Sequence, residues 1–246
     1  MYPELFSIGP FTLHAFGAMV ALGLIAAWWF LREDLSDRGI DPEAAFWLMA
    51  GAGIGGLGGA KLWYVAEHGG QDLLTGSGLT WYGGLIGGTA GVVLAALWLQ
   101  IPLGLAANAA AAPLALGYAI GRIGCQLAGD GDYGSASSLP WAMSYPDGTV
   151  PTTELVHPTP VYETAAMVLV FWVLWRLRDE FTAPWSLFGV YAVLAGLERF
   201  LIEFIRVNPK HVAGLTDAQI TSVALVVVGA ALVLREFRRG PTGSRA

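Results

Sequence analysis

Seven predominantly apolar stretches of about twenty residues follow one another along this chain: approximately 11–31, 43–66, 80–100, 105–121, 159–178, 185–206 and 219–235. A bilayer core about 30 Å thick is crossed by a helix of roughly 20 apolar residues. Each stretch therefore predicts a membrane-spanning helix. The second and fourth are rich in Gly and Ala, which predicts that they are buried between other helices rather than facing lipid. The longest non-apolar stretch, about 122–157, predicts a loop outside the membrane. No soluble domain separates the spans. The expected architecture is an all-α membrane protein, 1–246 forming a single polytopic transmembrane domain.

Composition agrees with the pattern. Of 246 residues, 55% are hydrophobic and 13% charged, where soluble domains carry about 25% charged residues. Mean hydropathy is +0.56. Net charge is −6 without a basic tail, which argues against nucleic acid as a partner. Basic residues set the orientation. Arg32 and Arg38 follow the first span, Arg176 and Arg178 end the fifth, and Arg235, Arg238, Arg239 and Arg245 follow the seventh. All eight fall on one side if the N-terminus is outside and the C-terminus cytoplasmic. The 122–157 loop then lies outside the cytoplasm. The first stretch lacks the basic flank and small-residue site of a cleaved signal, so it reads as a retained span.

Topology does not account for Arg122 or Arg199. A charge within a span costs roughly 3 kcal/mol on insertion scales and marks a functional candidate. The sixth span holds Glu198, Arg199, Glu203 and Arg206 in LERFLIEFIR. Arg199 pairs with Glu203 at i,i+4 and with Arg206 at i,i+7, so a continuous helix places all three on one face. That face must line a polar cavity or meet partners, and Arg122 is the obvious companion. A guanidinium fork suits phosphate, so two of them predict a phospholipid headgroup site. A structural ion-pair network is the competing reading. HPTPVYE at 157–163 opens the fifth span, with Pro158 suited to a first helical turn and Glu163 a further carboxylate within the span. WYGGLIGG at 81–88 opens the third, its paired glycines baring backbone to a neighbour or a ligand.

Two motifs are discounted. GAGIGG at 51–56 matches a dinucleotide fingerprint, but it lies inside an apolar segment with no preceding strand. Gly51, Gly55 and Gly59 instead show the four-residue spacing of close helix packing. DGDYG at 130–134 lacks the twelfth-position Glu of a calcium loop.

Taken together, YGGLIGG, GRIGC…GDGDYG, HPTPVYE and RFLIEFIRVNP, in this order along essentially the whole chain, resemble the prolipoprotein diacylglyceryl transferases. The resemblance implies a multi-pass enzyme of the bacterial cytoplasmic (inner) membrane. Such enzymes transfer the diacylglyceryl group of phosphatidylglycerol to the lipobox cysteine thiol of a preprolipoprotein signal peptide. No metal or organic cofactor is implied. Arg122 and Arg199 match the two essential arginines, and Glu203 and Arg206 the acidic and basic positions after the second. Gly134 closes the signature loop. His157, Tyr162 and Glu163 match H-P-x-x-x-Y-E, and either Asp130 or Asp132 stands for a family glutamate. Gly83 and Gly84 match the paired glycines of the third span.

Three positions depart from the family pattern. Tyr82 stands where the family has its catalytic histidine, Cys125 where it has asparagine, and Phe16, in His14-Ala15-Phe16-Gly17, where it has tyrosine. Each loses a polar group. They leave open a catalytically altered paralogue that binds phospholipid or modifies a different acceptor. A transporter would call for an inverted repeat, and none is visible. The reaction needs a thiolate, from a thiol whose ordinary pKa is about 8.5, and stabilisation of a departing phosphate. Arg122 and Arg199 suit the second task. With Tyr82 a poor base, Glu203, Glu163 and His157, in that order, are the replacements for the first. Cys125 is read as a small filler, with a covalent role as the sharper alternative.

Overall fold

The structure is a computed structural model, and it describes residues 1–9, 11–68, 80–211 and 214–239. Arg245 lies outside them. Among the described residues seven helices follow one another: α1 Ala15–Asp37, α2 Ala44–Glu67, α3 Trp81–Trp98, α4 Leu103–Ala128, α5 Thr159–Leu177, α6 Ser186–Ile202 and α7 Asp217–Arg239. Each expected span holds one of them. Segments Ala15–Asp37, Leu103–Ala128, Thr159–Leu177 and Asp217–Glu236 are long and apolar enough to cross a bilayer, and Tyr82–Trp98 is a shorter apolar helix.

Five differences from expectation matter. The first apolar stretch opens with a hairpin, β1 Glu4–Ile8 against β2 Phe11–His14, so helix begins only at Ala15. The fourth helix does not stop at the arginine: α4 runs on to Ala128, so Arg122 and Cys125 are helical and the loop begins at Gly129. The sixth ends earlier, at Ile202, so Arg206 lies beyond the helix. Pro158 caps α5 from outside, and Pro160 sits within its first turn. The loop itself carries two further strands, β3 Met143–Tyr145 and β4 Thr152–Val156, paired antiparallel.

The chain divides into two compact units, residues 28–109 and residues 1–27 with 110–246. In the first, α2 and α3 run side by side with almost no side chain between them. A Cβ built on Gly51 would lie 2.5 Å from the Gly91 carbonyl oxygen, and Cβ atoms on Gly55, Gly59, Gly83 and Gly87 would likewise collide with backbone of the facing helix. The pairs are 51 with 91, 55 with 87 and 59 with 83, glycines every fourth residue on both helices. Dispersion between bare backbones holds such a seam. The rest of α2 is not buried as its composition led us to expect. Ile54, Leu57 and Leu62 are all exposed. Leu31, Leu35, Leu48 and Ile101 form this unit's apolar core.

The other unit is built differently. Its core joins Ala111, Ala115 and Ala119 of α4 to Met167, Val170 and Leu174 of α5 and Leu187 of α6. Alanines on α4 let α5 and α6 approach, and α7 meets α6 at Gly189, Gly196 and Gly229. The loop is anchored by Tyr145, which is fully buried, stacks on Tyr133 at 4.9 Å and donates to Gln126 Oε1 of α4 at 2.9 Å.

Candidate active site

One end of this second unit gathers three arginines and three carboxylates. Arg122 comes from α4, Glu163 from the second turn of α5, Arg199 from the last turn of α6, and Glu203 and Arg206 from the turn that follows it. The loop delivers Asp132. Gly131 holds φ at +91°, a conformation open to glycine at no steric cost, and so turns the chain between the two aspartates. Gly134 then stitches the loop to the segment that precedes α5 and to the segment that follows α6. Its N–H donates to the His157 carbonyl at 2.8 Å, and it bridges antiparallel to Arg206. A Cβ there would meet the Ile205 carbonyl oxygen at 2.5 Å. Ser135 N–H donates to that same Ile205 carbonyl at 2.8 Å. The backbone thus draws Asp132, His157 and Arg206 together.

Asp132 is the keystone. Its Oδ2 accepts from Arg122 Nη1 and its Oδ1 from Arg206 Nη2, while its carbonyl accepts from Thr159 Oγ1 and Arg206 Nη1. Burial pushes the Asp132 carboxyl up, but Arg122 and Arg206 more than offset it and hold the group below the usual carboxylate range. Glu163, fully buried, lies beneath, with Oε2 2.8 Å from Arg122 Nε and 3.7 Å from Arg206 Nη1, and Oε1 3.6 Å from Arg199 Nη1. Glu203, also buried, pairs with Arg199 Nη2 at 2.8 Å and accepts from Asn208 Nδ2 at 2.6 Å. Three positive and three negative charges balance in a cage whose members lock one another's rotamers.

The arginines are not equally occupied. Arg122 and Arg206 each reach Asp132 and Glu163. Arg199 is the most exposed, at 25% of its side chain against 14% for Arg122 and 9% for Arg206; its buried Nη1, like Arg206 Nε, makes no hydrogen bond among the described residues. It is the guanidinium best able to accept a new oxygen. A cavity of about 220 Å³ opens beside Arg206, lined also by Gly134, Ser135, Thr152, Glu154 and Asn208.

Other expected residues fall around the cage. His157 Nδ1 lies 3.4 Å from the Tyr162 hydroxyl, which accepts from Trp141 Nε1 at 2.7 Å. Asp130 accepts from the Asp132 N–H at 3.3 Å and touches no arginine among the described ion pairs, so Asp132 takes the acidic place in the cage. Cys125 is buried, and its Sγ accepts from Arg122 Nη1 at 3.6 Å. Ligand atoms of Cys125, Asp130 and Asp132 lie within 4.8 Å of one another. Both Asp132 oxygens are committed to guanidinium groups, so the trio suits an ion-pair network and not a cation. Tyr82, Gly83 and Gly84 belong to the other unit. There Tyr82 is exposed on the first turn of α3, Gly83 faces the α2 backbone, and Gly84 is in ordinary contact with Ala60.

Two partners of the cage escaped the motif reading. Tyr118, one turn before Arg122, accepts from its Nε at 3.0 Å and donates to Glu163 Oε1 at 3.2 Å. Its i−4 spacing was the available signal. Asn208 stood in RVNP, but only the end of α6 at Ile202 folds it back onto Glu203.

Comparison with known proteins gives a consistent answer. Residues 3–235 match the family model described as prolipoprotein diacylglyceryl transferase. Three similar proteins bear the name phosphatidylglycerol–prolipoprotein diacylglyceryl transferase. One from Chromohalobacter salexigens is 32% identical over 258 residues, covering 96% of this chain and 93% of that protein. Another, from Pseudomonas putida, is 30% identical over 271 residues, covering 99% and 97%. A third, from Leptospira interrogans, is 28% identical over 287 residues, covering 92% and 89%.

Proposed function

The chain belongs to the prolipoprotein diacylglyceryl transferase family, and from that premise we propose that it transfers the diacylglyceryl group of phosphatidylglycerol to the lipobox cysteine thiol of preprolipoproteins. The observation that carries the proposal is the arginine cage on Asp132 and Glu163, with Arg199 only partly engaged. All seven helices cross the cytoplasmic membrane as one domain, N-terminus outside. The C-terminal end of α4, the N-terminal end of α5 and the C-terminal end of α6 then share the outer side, where the cage meets the outer leaflet.

In the reaction the thiolate sulfur attacks the glycerol carbon, and the carbon–oxygen bond to the phosphate breaks. Charge grows on the leaving phosphate. Fixed guanidinium groups stabilise it without reorganising, which is preorganised electrostatic catalysis. Arg199, the most exposed of the three, donates to the phosphate first. Arg122 and Arg206, held by Asp132, supply the surrounding field. Glu163 and Glu203 are fully buried and tied to arginines, so they orient the forks rather than accept the thiol proton. His157 becomes the first candidate for that base, ahead of both carboxylates. Cys125 packs against Arg122 as a small buried group.

The test is direct. Purified protein in micelles is incubated with phosphatidylglycerol and a synthetic lipobox peptide, and the peptide mass is followed. A gain of one diacylglyceryl group on the cysteine is expected. No gain beside an active transferase control would transfer the case to an altered paralogue that binds phospholipid or serves another acceptor.

A further inference from the structure

Glu198 is a carboxylate that the cage leaves without an arginine. It stands on α6 immediately before Arg199 and seven residues, two turns, after Tyr191. Its Oε1 is buried and has no hydrogen-bond partner among the described residues. The ion pairs of Arg199 go to Glu163 and Glu203 instead. The groups that act on Glu198 through space are Glu163 of α5, Arg199 beside it, Arg122 and Tyr118 of α4, Tyr191 of α6, and Arg206 beyond that helix. Where α7 packs on α6, at Gly196, it contributes Ser222 and Val226, which carry no charge.

Charge counting then gives Glu198 a role. Arg122, Arg199 and Arg206 are balanced by Asp132, Glu163 and Glu203. An ionised Glu198 makes the site negative by one. A phosphodiester brings a further negative charge into the same desolvated region, and an uncompensated buried charge is costly. The site accepts an anion far more readily with Glu198 neutral. Resting on the headgroup reading above, we propose that Glu198 is a positioning residue that sets the charge of the cage, taking on a proton when an anionic phospholipid headgroup enters. Headgroup binding and proton uptake are then one linked equilibrium.

Short-chain phosphatidylglycerol is the probe, because its phosphodiester keeps one fixed charge across the range tested. Titration calorimetry between about pH 7 and pH 9, in buffers of different ionisation enthalpy, counts the protons taken up per lipid bound. Wild-type protein is expected to take up a proton, and its Kd to rise about tenfold per pH unit where Glu198 ionises. Glu198→Gln takes up none, holds its Kd within about twofold across the range, and binds more tightly than wild type at the alkaline end. Glu198→Asp restores the uptake, which a merely structural role would not do. Unchanged proton uptake in Glu198→Gln overturns the proposal. So does a wild-type protein that binds and transfers lipid with no uptake, which leaves the transferase reading standing. Neither binding nor transfer by wild type removes both.

Discussion

The α2–α3 seam and the arginine cage solve one problem, holding apolar helices together, in opposite ways. The seam removes side chains until two backbones touch, at Gly51 with Gly91, Gly55 with Gly87 and Gly59 with Gly83. The cage inserts the largest, most polar side chains and neutralises them pair by pair around Asp132 and Glu163. A seam of glycines is inert. It offers packing and nothing to a ligand. The cage must satisfy every member at once, so it is vulnerable to a single loss, but its groups are charged, rigid and able to exchange one partner for another. That difference explains how glycine motifs which resemble phosphate-binding loops serve helix packing here, while the proposed phosphate site sits with arginines in and beside helices.

The largest effect is expected at the centre of the cage. Arg122→Ala removes a phosphate donor and leaves Asp132 and Glu163 short of a counter-charge. Lipid transfer should fall by at least about 10³-fold, the upper end for one lost oxyanion donor, with thermal stability also reduced. Near-normal turnover by the mass assay would sink the role of the arginine cage. The seam breaks differently. Gly87→Leu drives a side chain into the Gly55 and Gly59 backbone. Overpacking of about 1–3 kcal/mol or more is expected, read as a lower unfolding temperature in detergent. Gly53, on α2 two residues from Gly55 and so on the opposite face of that helix, faces open space, so Gly53→Leu should leave that temperature within about 1 °C. Equal losses from both would show that the seam is not what holds this unit.

Arg199→Lys comes next. It keeps the charge but loses the planar fork, so transfer should drop about 10–100-fold with little change in stability. The loss should fall on kcat more than on KM if Arg199 acts on the departing phosphate. The pH dependence that Asp132 gives to thermal stability is a smaller effect, and it appears only in acid. The Asp132 carboxyl sits below the usual range because of Arg122 and Arg206. Its stabilisation is therefore complete above about pH 4, the unfolded value, and is lost as pH falls through the lower folded value. Asp132→Asn should flatten that acid limb of thermal stability, and an unchanged limb would contradict the assignment.

The same contrast decides what was legible in the sequence. The seam was readable because four-residue glycine spacing is geometric and local. The helices were readable because apolar length is. The cage was legible only in its membership. Hydropathy stops a span at a charge, so α4 was expected to end before Arg122. It continues because Glu163 and Asp132 neutralise that arginine from elsewhere in the chain. An i,i+7 stripe assumed α6 ran through Arg206, yet backbone pairing with Gly134 ends regular helix first. The choice between Asp130 and Asp132 turned on one glycine φ, and strands β3 and β4 hide in a polar loop whose buried anchor, Tyr145, has no periodic signature.

Cys125 should show the smallest effect, and it sharpens the comparison most. It sits on α4 within the cage's reach but behaves as the seam's glycines do: small, buried and filling space. Its polar contacts are weak: it accepts at 3.6 Å from Arg122 Nη1, a nitrogen already committed to Asp132, and it lies within hydrogen-bonding reach of Asp130. Serine is nearly isosteric and also accepts. Cys125→Ser should therefore keep transfer within about twofold, as expected for a change that removes no named interaction. If the protein instead lost activity and wild type carried a diacylglyceryl mass on this thiol, Cys125 would be a covalent way-station. The cage would then hold a nucleophile as well as a phosphate site.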